Sequence, residues 1–451
     1  MPPLLPLLVL SVLVSASASP EQDVYALAKL KAALVSDTNP ALADWNLAAA
    51  PPAHCSFPGV SCDSAARVVG INLTGMPLQG GGLPPEVALL DALENLTVAA
   101  CSLEGSVPAS LAALPALRHL NISNNNFTGP FPMLVSAGEP YFPVLEVVDA
   151  YNNNLSGPLP PFGAAHTRLR YLHLGGNYFS GAIRESYADL AALEYLGLNG
   201  NSLSGCVPAS LARLKRLREM YIGYFNMFNG GVPPELGELH SLVRLDMSSC
   251  NLTGLIPPEL GQLAHLDTLF LQMNRLSGEI PTQIAGLKNL KSLDLSMNEL
   301  TGEIPVGLAN LTSLTLLHLF RNHLHGNIPE FVANLPNLEV LQLWENNLTG
   351  QLPAELGKNS PLKMLDAAIN HLTGQIPPEL CAHGTLEALV LMENCLSGPI
   401  PGSLAACKTL KHIRLGKNMF STSSVPAQLF DLEEAKANML ELTKVVLTGQ
   451  L

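Results

Sequence analysis

A chain of 451 residues is too long for one ordinary hydrophobic core and calls for several domains or a repeat architecture. Hydrophobic residues make up 47% of it but aromatics only 5%, so the interior must be built from Leu, Ile, Val and Ala, which suit thin stacked layers better than one large globule. Its 24 Lys and Arg against 37 Asp and Glu give a net charge of −13, a balance that repels a phosphate backbone and excludes nucleic acid as the expected partner.

Met1 to Val14 is an apolar run followed by Ala16, Ser17 and Ala18, the small-residue spacing of a signal-peptidase site. Residues 1–18 therefore read as a signal peptide and the rest as exported. No later stretch has about 18 consecutive apolar residues, so no direct membrane insertion is expected. Residues 19–66 read as an N-terminal cap, in which Val24, Leu27, Leu30 and Leu34 recur at helical spacing, followed by Trp45 and the pair Cys55 and Cys62. In an exported chain these two cysteines are expected to bond to each other rather than to a metal, because only two soft ligands lie close in sequence.

Residues 67–451 repeat. Pro233, Pro257, Pro281, Pro305, Pro329, Pro353, Pro377 and Pro401 fall 24 residues apart, and the text around them fits L-x-x-L-x-L-x-x-N-x-L-x-G-x-I-P. The strand segment occurs in 16 copies, centred on Ile71, Leu96, Leu120, Val148, Leu172, Leu196, Met220, Leu245, Leu269, Leu293, Leu317, Leu341, Leu365, Leu389, Ile413 and Leu440. The L-x-L alternation sends leucines inward and the x residues onto one outer face. The Asn closing each strand can bond the backbone of the neighbouring turn, and Gly and Pro shape the return path. Cys101 and Cys250 stand at that Asn position and are expected to be structural. Cys381 and Cys407, 26 residues apart on the backs of adjacent copies, have a spacing that a bridge can span, whereas Cys206 and Cys395 have no evident partner. The pattern predicts an α/β solenoid: a right-handed horseshoe or superhelix with a concave parallel β-sheet and a helical cap. Its last copy is incomplete, with Val445 where the Asn belongs, and reads as a truncated or mis-spliced end.

Eight N-x-[ST] sequons, at Asn72, Asn95, Asn121, Asn126, Asn154, Asn251, Asn310 and Asn347, fit a glycosylated secreted protein. The first three lie on outward positions of the first three strands, where glycans would obstruct that end and push a ligand further along. There the outward positions carry Tyr151, Tyr171, Tyr195, Tyr221, Tyr224, Phe270, Met273, Met297, Phe320, Trp344, Ile369 and Met392, large apolar groups that imply contacts. Asp246, His318, Asp366, His412 and Arg414 stand among them, giving aromatic anchors in a polar surround. Eight strand gaps of about 4.8 Å make a track of roughly 38 Å, the length of about 12 extended residues, so a short peptide is the expected ligand. Its terminal carboxylate would suit the basic cluster of His412, Arg414 and Lys417. Catalysis is not expected: Asp246 and Asp294 stand about 10 Å apart without a pocket to shift either, and no metal or cofactor motif occurs.

From the cap to about Gly449 the chain resembles the ectodomain of plant leucine-rich-repeat receptor kinases of the CLAVATA type. The resemblance rests on the cap cysteines Cys55 and Cys62, the 24-residue I-P repeat, the copy running from Tyr221 to Pro233, which is one residue longer than its neighbours, Asp246 to Gly254, Leu343 to Asn347, and the pair Cys381 and Cys407. It implies binding of a secreted peptide of the CLE class along the inner face, in meristem or developmental signalling, with a co-receptor or homologous receptor as a further partner. Related receptors hold the peptide carboxylate with an Arg-x-Arg pair, and here His412 and Arg414 stand at those positions, so only the second Arg is kept. The family's membrane helix and kinase are not found in this sequence. The alternatives are a soluble decoy and a protein inhibitor of the polygalacturonase-inhibitor type.

Overall fold

The computed structural model describes residues 19–35, 40–78, 81–133 and 141–421. Residues 1–18, expected to be a signal peptide, and the copy centred on Leu440 lie outside the described residues. Two compact units result, one running through Phe127 and including Pro132–Pro143, the other formed by Thr128–Phe131 and the chain from Val144 onward.

In the first unit, Ser19 caps a helix over Pro20–Leu34, its hydroxyl accepting from the Gln22 N–H at 3.4 Å, and proline at the first helical turn needs no N–H partner there. The helix buries Leu27, Leu30 and Leu34, as the spacing predicts, and Ala26 beside them. It also buries Asp23, whereas Val24, expected on the inner face, is only half-buried. The reason is a partner from the sheet: Arg67 donates Nε and Nη2 to the two oxygens of Asp23 at 2.9 and 3.0 Å, and the Val68 N–H adds a third bond at 2.7 Å. A carboxylate so fully bonded can be buried without an unpaired charge. Trp45 is buried against Phe57 with ring centroids 5.6 Å apart, and its Nε1 donates to the Pro58 carbonyl. Cys55 and Cys62 are disulfide-bonded. Val60–Cys62 runs antiparallel to Val68–Asn72, and Asn95–Thr97 and His119–Asn121 follow in parallel, centred on Ile71, Leu96 and Leu120 as the repeat predicts.

The second unit has a parallel sheet whose strands run from Val147–Asp149 to His412–Arg414, each three residues long. Their centres, from Val148 through Leu293 to Ile413, coincide with the copies counted in sequence and pair centre to centre, as in Leu269 with Leu293 and Leu293 with Leu317. The central leucines are fully buried. Behind the sheet the proline of most copies leads into a short 3₁₀ turn, such as Pro305 before Val306–Asn310, whose Leu308 closes the core from that side; Arg184 stands in the proline's place in one copy, and Pro401 leads into an α-helical turn over Gly402–Ala405. Such turns rise more steeply than an α-helix and fit a copy whose front is a three-residue strand.

The asparagines link neighbouring copies. Asn298 accepts from the Leu276 N–H at 3.0 Å and donates to the carbonyls of Leu271, Leu295 and Ser296, so one buried amide satisfies backbone groups of two copies. The same set recurs at Asn274, Asn322, Asn346, Asn370, Asn394 and Asn418. Cys101 and Cys250 are buried free thiols at that place, with Cys250 Sγ donating to the Met247 carbonyl. Cys381 and Cys407 are disulfide-bonded behind the last described strands, while Cys206 and Cys395 are free and exposed.

Candidate functional site

The outward residues of the second unit fall into three rows set by the strand register. One ridge runs through paired positions: Tyr221, Asp246, Phe270, Asp294, His318, Gln342, Asp366, Val390 and Arg414. Six of the candidate ligand contacts, namely Tyr221, Asp246, Phe270, His318, Asp366 and Arg414, are thus brought onto one line. His412 lies on the strand of Arg414, two residues earlier, and is exposed. Phe320 and Trp344 sit two residues past the ridge and are half-buried.

Tyr224 and Met297 are not on strands, contrary to the alternation reading. They belong to a third row, just before or next to the ladder Asn, where the backbone turns left-handed: φ is 51° at Tyr224, 59° at Met273, 55° at Met297, 52° at Arg321, 55° at Glu345, 52° at Ile369 and 56° at both Glu393 and Lys417. Bulky side chains seldom adopt this conformation, and here the Asn bonds on one side and the strand on the other impose it. The copy at Tyr221 has two such residues in succession, Tyr224 and Phe225, because it holds one residue more.

Aromatic packing divides the row contacts. Tyr171 and Tyr195 stack at 4.3 Å, Tyr195 meets Tyr221 at 5.5 Å, and Tyr151 stacks on His173 at 4.6 Å, so these rings pack on one another across strands. Burial pushes the hydroxyls of Tyr171, Tyr195 and Tyr221 up and His173 down to about 4. Further along, Phe320 stacks on Trp344 at 4.8 Å, and Arg321 lies 5.0 Å from the Trp344 ring while its Nε donates to Glu345 at 2.7 Å. Tyr224 remains 43% exposed, a large ring presented to solvent.

Acceptors dominate the middle of the ridge. Ser248 donates its N–H and hydroxyl to Asp246, and Ser296 does the same to Asp294, whose other oxygen faces His318 Nδ1 at 3.0 Å. Burial raises Asp246, with the nearby Asp294 charge adding to it, so the expectation that nothing shifts this carboxylate is corrected. Burial likewise raises Asp366, against the opposing pull of Arg414. His318 Nε2 and Gln272 Oε1 are buried without a partner. Sequence reading passed over Gln272 and His173; counting outward residues at each 24-residue step would have placed Gln272 in the row of Phe320 and His173 in that of Asp246. At the far end, the basic cluster is smaller than expected, because Lys417 pairs with Glu393 at 2.8 Å. Arg414 is exposed and its guanidinium forms no ion pair or hydrogen bond among the described residues.

Of the sequon residues, Asn72, Asn95, Asn126, Asn154, Asn310 and Asn347 are exposed, and Asn121 is half-buried on the sheet face. Asn251 is half-buried too, with its amide donating to the Phe228 carbonyl at 3.2 Å. The cap residues His54, Cys55 and Cys62 bring three ligand atoms close together, but both sulfurs are used in the disulfide. Among the described residues no helix is long and apolar enough to cross a membrane.

Strands every 24 residues, 3₁₀ turns behind them and an Asn ladder between them define a leucine-rich-repeat protein. Family descriptions agree: a leucine-rich repeat region matches residues 245–429, leucine rich repeats match 167–228 and 116–137, and a leucine rich repeat N-terminal domain matches 20–63. The chain belongs to the plant leucine-rich-repeat receptor family, as an ectodomain. It is 34% identical to receptor-like protein kinase 7 of Arabidopsis thaliana over 118 residues, which is 26% of this chain and 12% of that protein. The crystal structure of a TDR receptor shares 40% identity at a TM-score of 0.74, over 77% of this chain and 59% of that one. The Arabidopsis receptor kinase HAESA, solved with the peptide hormone IDA and the co-receptor SERK1, shares 35% identity at a TM-score of 0.79, over 88% of this chain and 66% of that one. This chain therefore spans less than two thirds of these relatives. Repeats and cap account for its described fold, and no kinase fold occurs among the described residues.

Proposed function

We propose that this chain is the extracellular ligand-binding part of a receptor-like kinase and that it recognises a short secreted peptide of the CLE class, in developmental signalling at the plant cell surface. The observation that supports this most is the ridge from Tyr221 to Arg414, eight strand steps or about 38 Å long, which fits about 12 extended residues. Aromatic anchors occupy its near end and middle, and an unpaired guanidinium ends it. A peptide would lie along the ridge with its apolar side chains against Phe270, Met297, Phe320 and Trp344, and with its carboxylate on Arg414, with His412 alongside. The buried, unpartnered Gln272 Oε1 and His318 Nε2 would take polar groups of the ligand. HAESA, solved with both a peptide hormone and a co-receptor, supports the same two kinds of partner here.

Calorimetry tests the reading with a synthetic 12-residue CLE-class peptide, as free acid and as C-terminal amide. The acid should bind and the amide about tenfold or more weaker, with Arg414→Ala erasing the difference. Equal affinity of acid and amide would remove Arg414 from the site, and absence of heat with either would remove the peptide class.

A further inference from the structure

A cavity of about 590 Å³ opens on the edge of the second unit where the chain enters its strands, lined by Glu194, Arg216, Arg218, Ser241, Val243 and His265. It is set apart from the ridge by position: Glu194, Arg218 and Val243 immediately precede strands, one residue before the outward side chains begin. Along this edge acids and bases alternate in the residues that precede the strands, interrupted at Val243 and Thr315, and four acid–base pairs close across copies. Arg170 meets Glu146 at 3.2 Å, Lys291 meets Asp267 at 3.7 Å, Lys363 meets Glu339 at 2.7 Å and Lys411 meets Glu387 at 2.6 Å. Glu194 and Arg218 have the same spacing and form no such pair among the described residues.

Arg216 is likewise exposed and without an acid, although its neighbours Arg213 and Lys215 are paired with Asp189 and Glu238. The next place in the row is Val243, so no carboxylate arrives from the following copy. The cavity therefore holds two guanidinium groups against one carboxylate, a local positive excess on a chain of net charge −13. Two planar forks facing one space suit an oxyanion, which each can hold through paired N–H bonds. The volume far exceeds what a bare oxyanion fills. The remaining lining offers hydroxyl partners in Glu194, Ser241 and His265, with one aliphatic surface in Val243 and no aromatic anchor.

We propose that this cavity binds an acidic saccharide, with a uronate or sulfate-ester group held between Arg216 and Arg218 and sugar hydroxyls on Glu194 and Ser241. The site is separate from the peptide ridge and stands or falls without it. Titration calorimetry of the whole secreted chain tests it with three probes: a uronic-acid tetrasaccharide, a sulfated disaccharide and inorganic sulfate, with a neutral tetrasaccharide as control. At least one acidic saccharide should bind more tightly than inorganic sulfate and the neutral sugar. The variant Arg216→Ala with Arg218→Ala should lose about tenfold or more, and added salt should weaken binding by the wild type. Both side chains are exposed, so unchanged thermal unfolding is expected of the variant, and near-identical melts confirm that the loss is local. Tight binding by whichever acidic saccharide is preferred identifies the carrier chemistry. Binding of inorganic sulfate alone, equal binding by wild type and variant, or no binding by any probe overturns the proposal.

Discussion

Phe320 and Trp344 lie on adjacent copies with their rings nearly parallel, 11° apart in plane and 4.8 Å between centroids, and Arg321 covers the Trp344 ring from the rim. The other tryptophan, Trp45, is fully buried in the cap, so ligand-dependent fluorescence has one source beside the ridge. Peptide binding should shift the emission of the wild type and leave Trp344→Phe unchanged. Trp344→Ala should weaken binding about 10- to 100-fold without altering the melting temperature by more than a degree or two, since a half-buried aromatic contributes to the interface more than to the core. An unaltered affinity would move the ligand off this part of the sheet.

Asn298 is where stability should be most sensitive to a single polar change. Asn298→Ala strands an N–H of one copy and carbonyls of two, and should cost about 2–4 kcal/mol by urea titration. Asn298→Asp should be at least as damaging above neutral pH, because a carboxylate oxygen would then face the carbonyls of Leu271 and Leu295. A loss under half a kcal/mol in both would mean that water or relaxation replaces the ladder.

Acid should destabilise the second unit through His173. Its folded value of about 4, set by burial, lies below the usual value of about 6.5, so the unfolded chain binds the proton more readily. The stability it contributes is complete above about pH 6.5 and is lost as the pH falls toward 4. The gap between the two values corresponds to roughly 3 kcal/mol. Unfolding of His173→Gln followed between these pH values should show a shallower slope than the wild type, and parallel slopes would dismiss the effect.

The Cys381 to Cys407 bridge ties two successive copies behind the last described strands and closes a separation of 26 residues. Replacing both cysteines by Ala should cost about 2–4 kcal/mol. In a solenoid each copy leans only on its neighbours, so the loss should appear as faster hydrogen exchange in the strands at Leu389 and Ile413, with little change near Leu196. Uniform acceleration along the chain would contradict nearest-neighbour stabilisation.

The strand centres, ladder positions and inward leucines were legible in sequence because a fixed period leaves no freedom in register: a slip by one residue would turn every leucine to solvent. Side-chain partners were less legible. The pairing of Arg67 with Asp23 joins residues 44 apart by a route that the periodicity does not encode, so Val24 was wrongly placed on the buried face. Tyr171, Tyr195 and Tyr221 share outward positions with Phe270 and Trp344, yet the first three are largely occupied with one another. Alternation shows which way a ring points but not whether its neighbour in the next copy is also a ring at stacking distance. Rim residues such as Met297 and Ile369 were read as strand residues because the two-residue period runs on past the last strand bond, and the left-handed turn has no glycine to announce it there.

The copy that starts at Tyr221 shows how this architecture tolerates a change of length. Its extra residue falls between Ile222 and Asn226, and the Asn226 amide still reaches the Ile222 carbonyl at 2.8 Å and the Leu198 carbonyl at 3.0 Å. Met220 still pairs with both Leu196 and Leu245, and the surplus is expelled as Phe225, 81% exposed. An insertion at this point of a copy therefore alters the outline of the molecule locally and leaves no frameshift in the stacking beyond it. Point substitutions change what the receptor surface says at a given place; this corner lets a single codon move the place itself, which gives receptors of this build a second way to diverge.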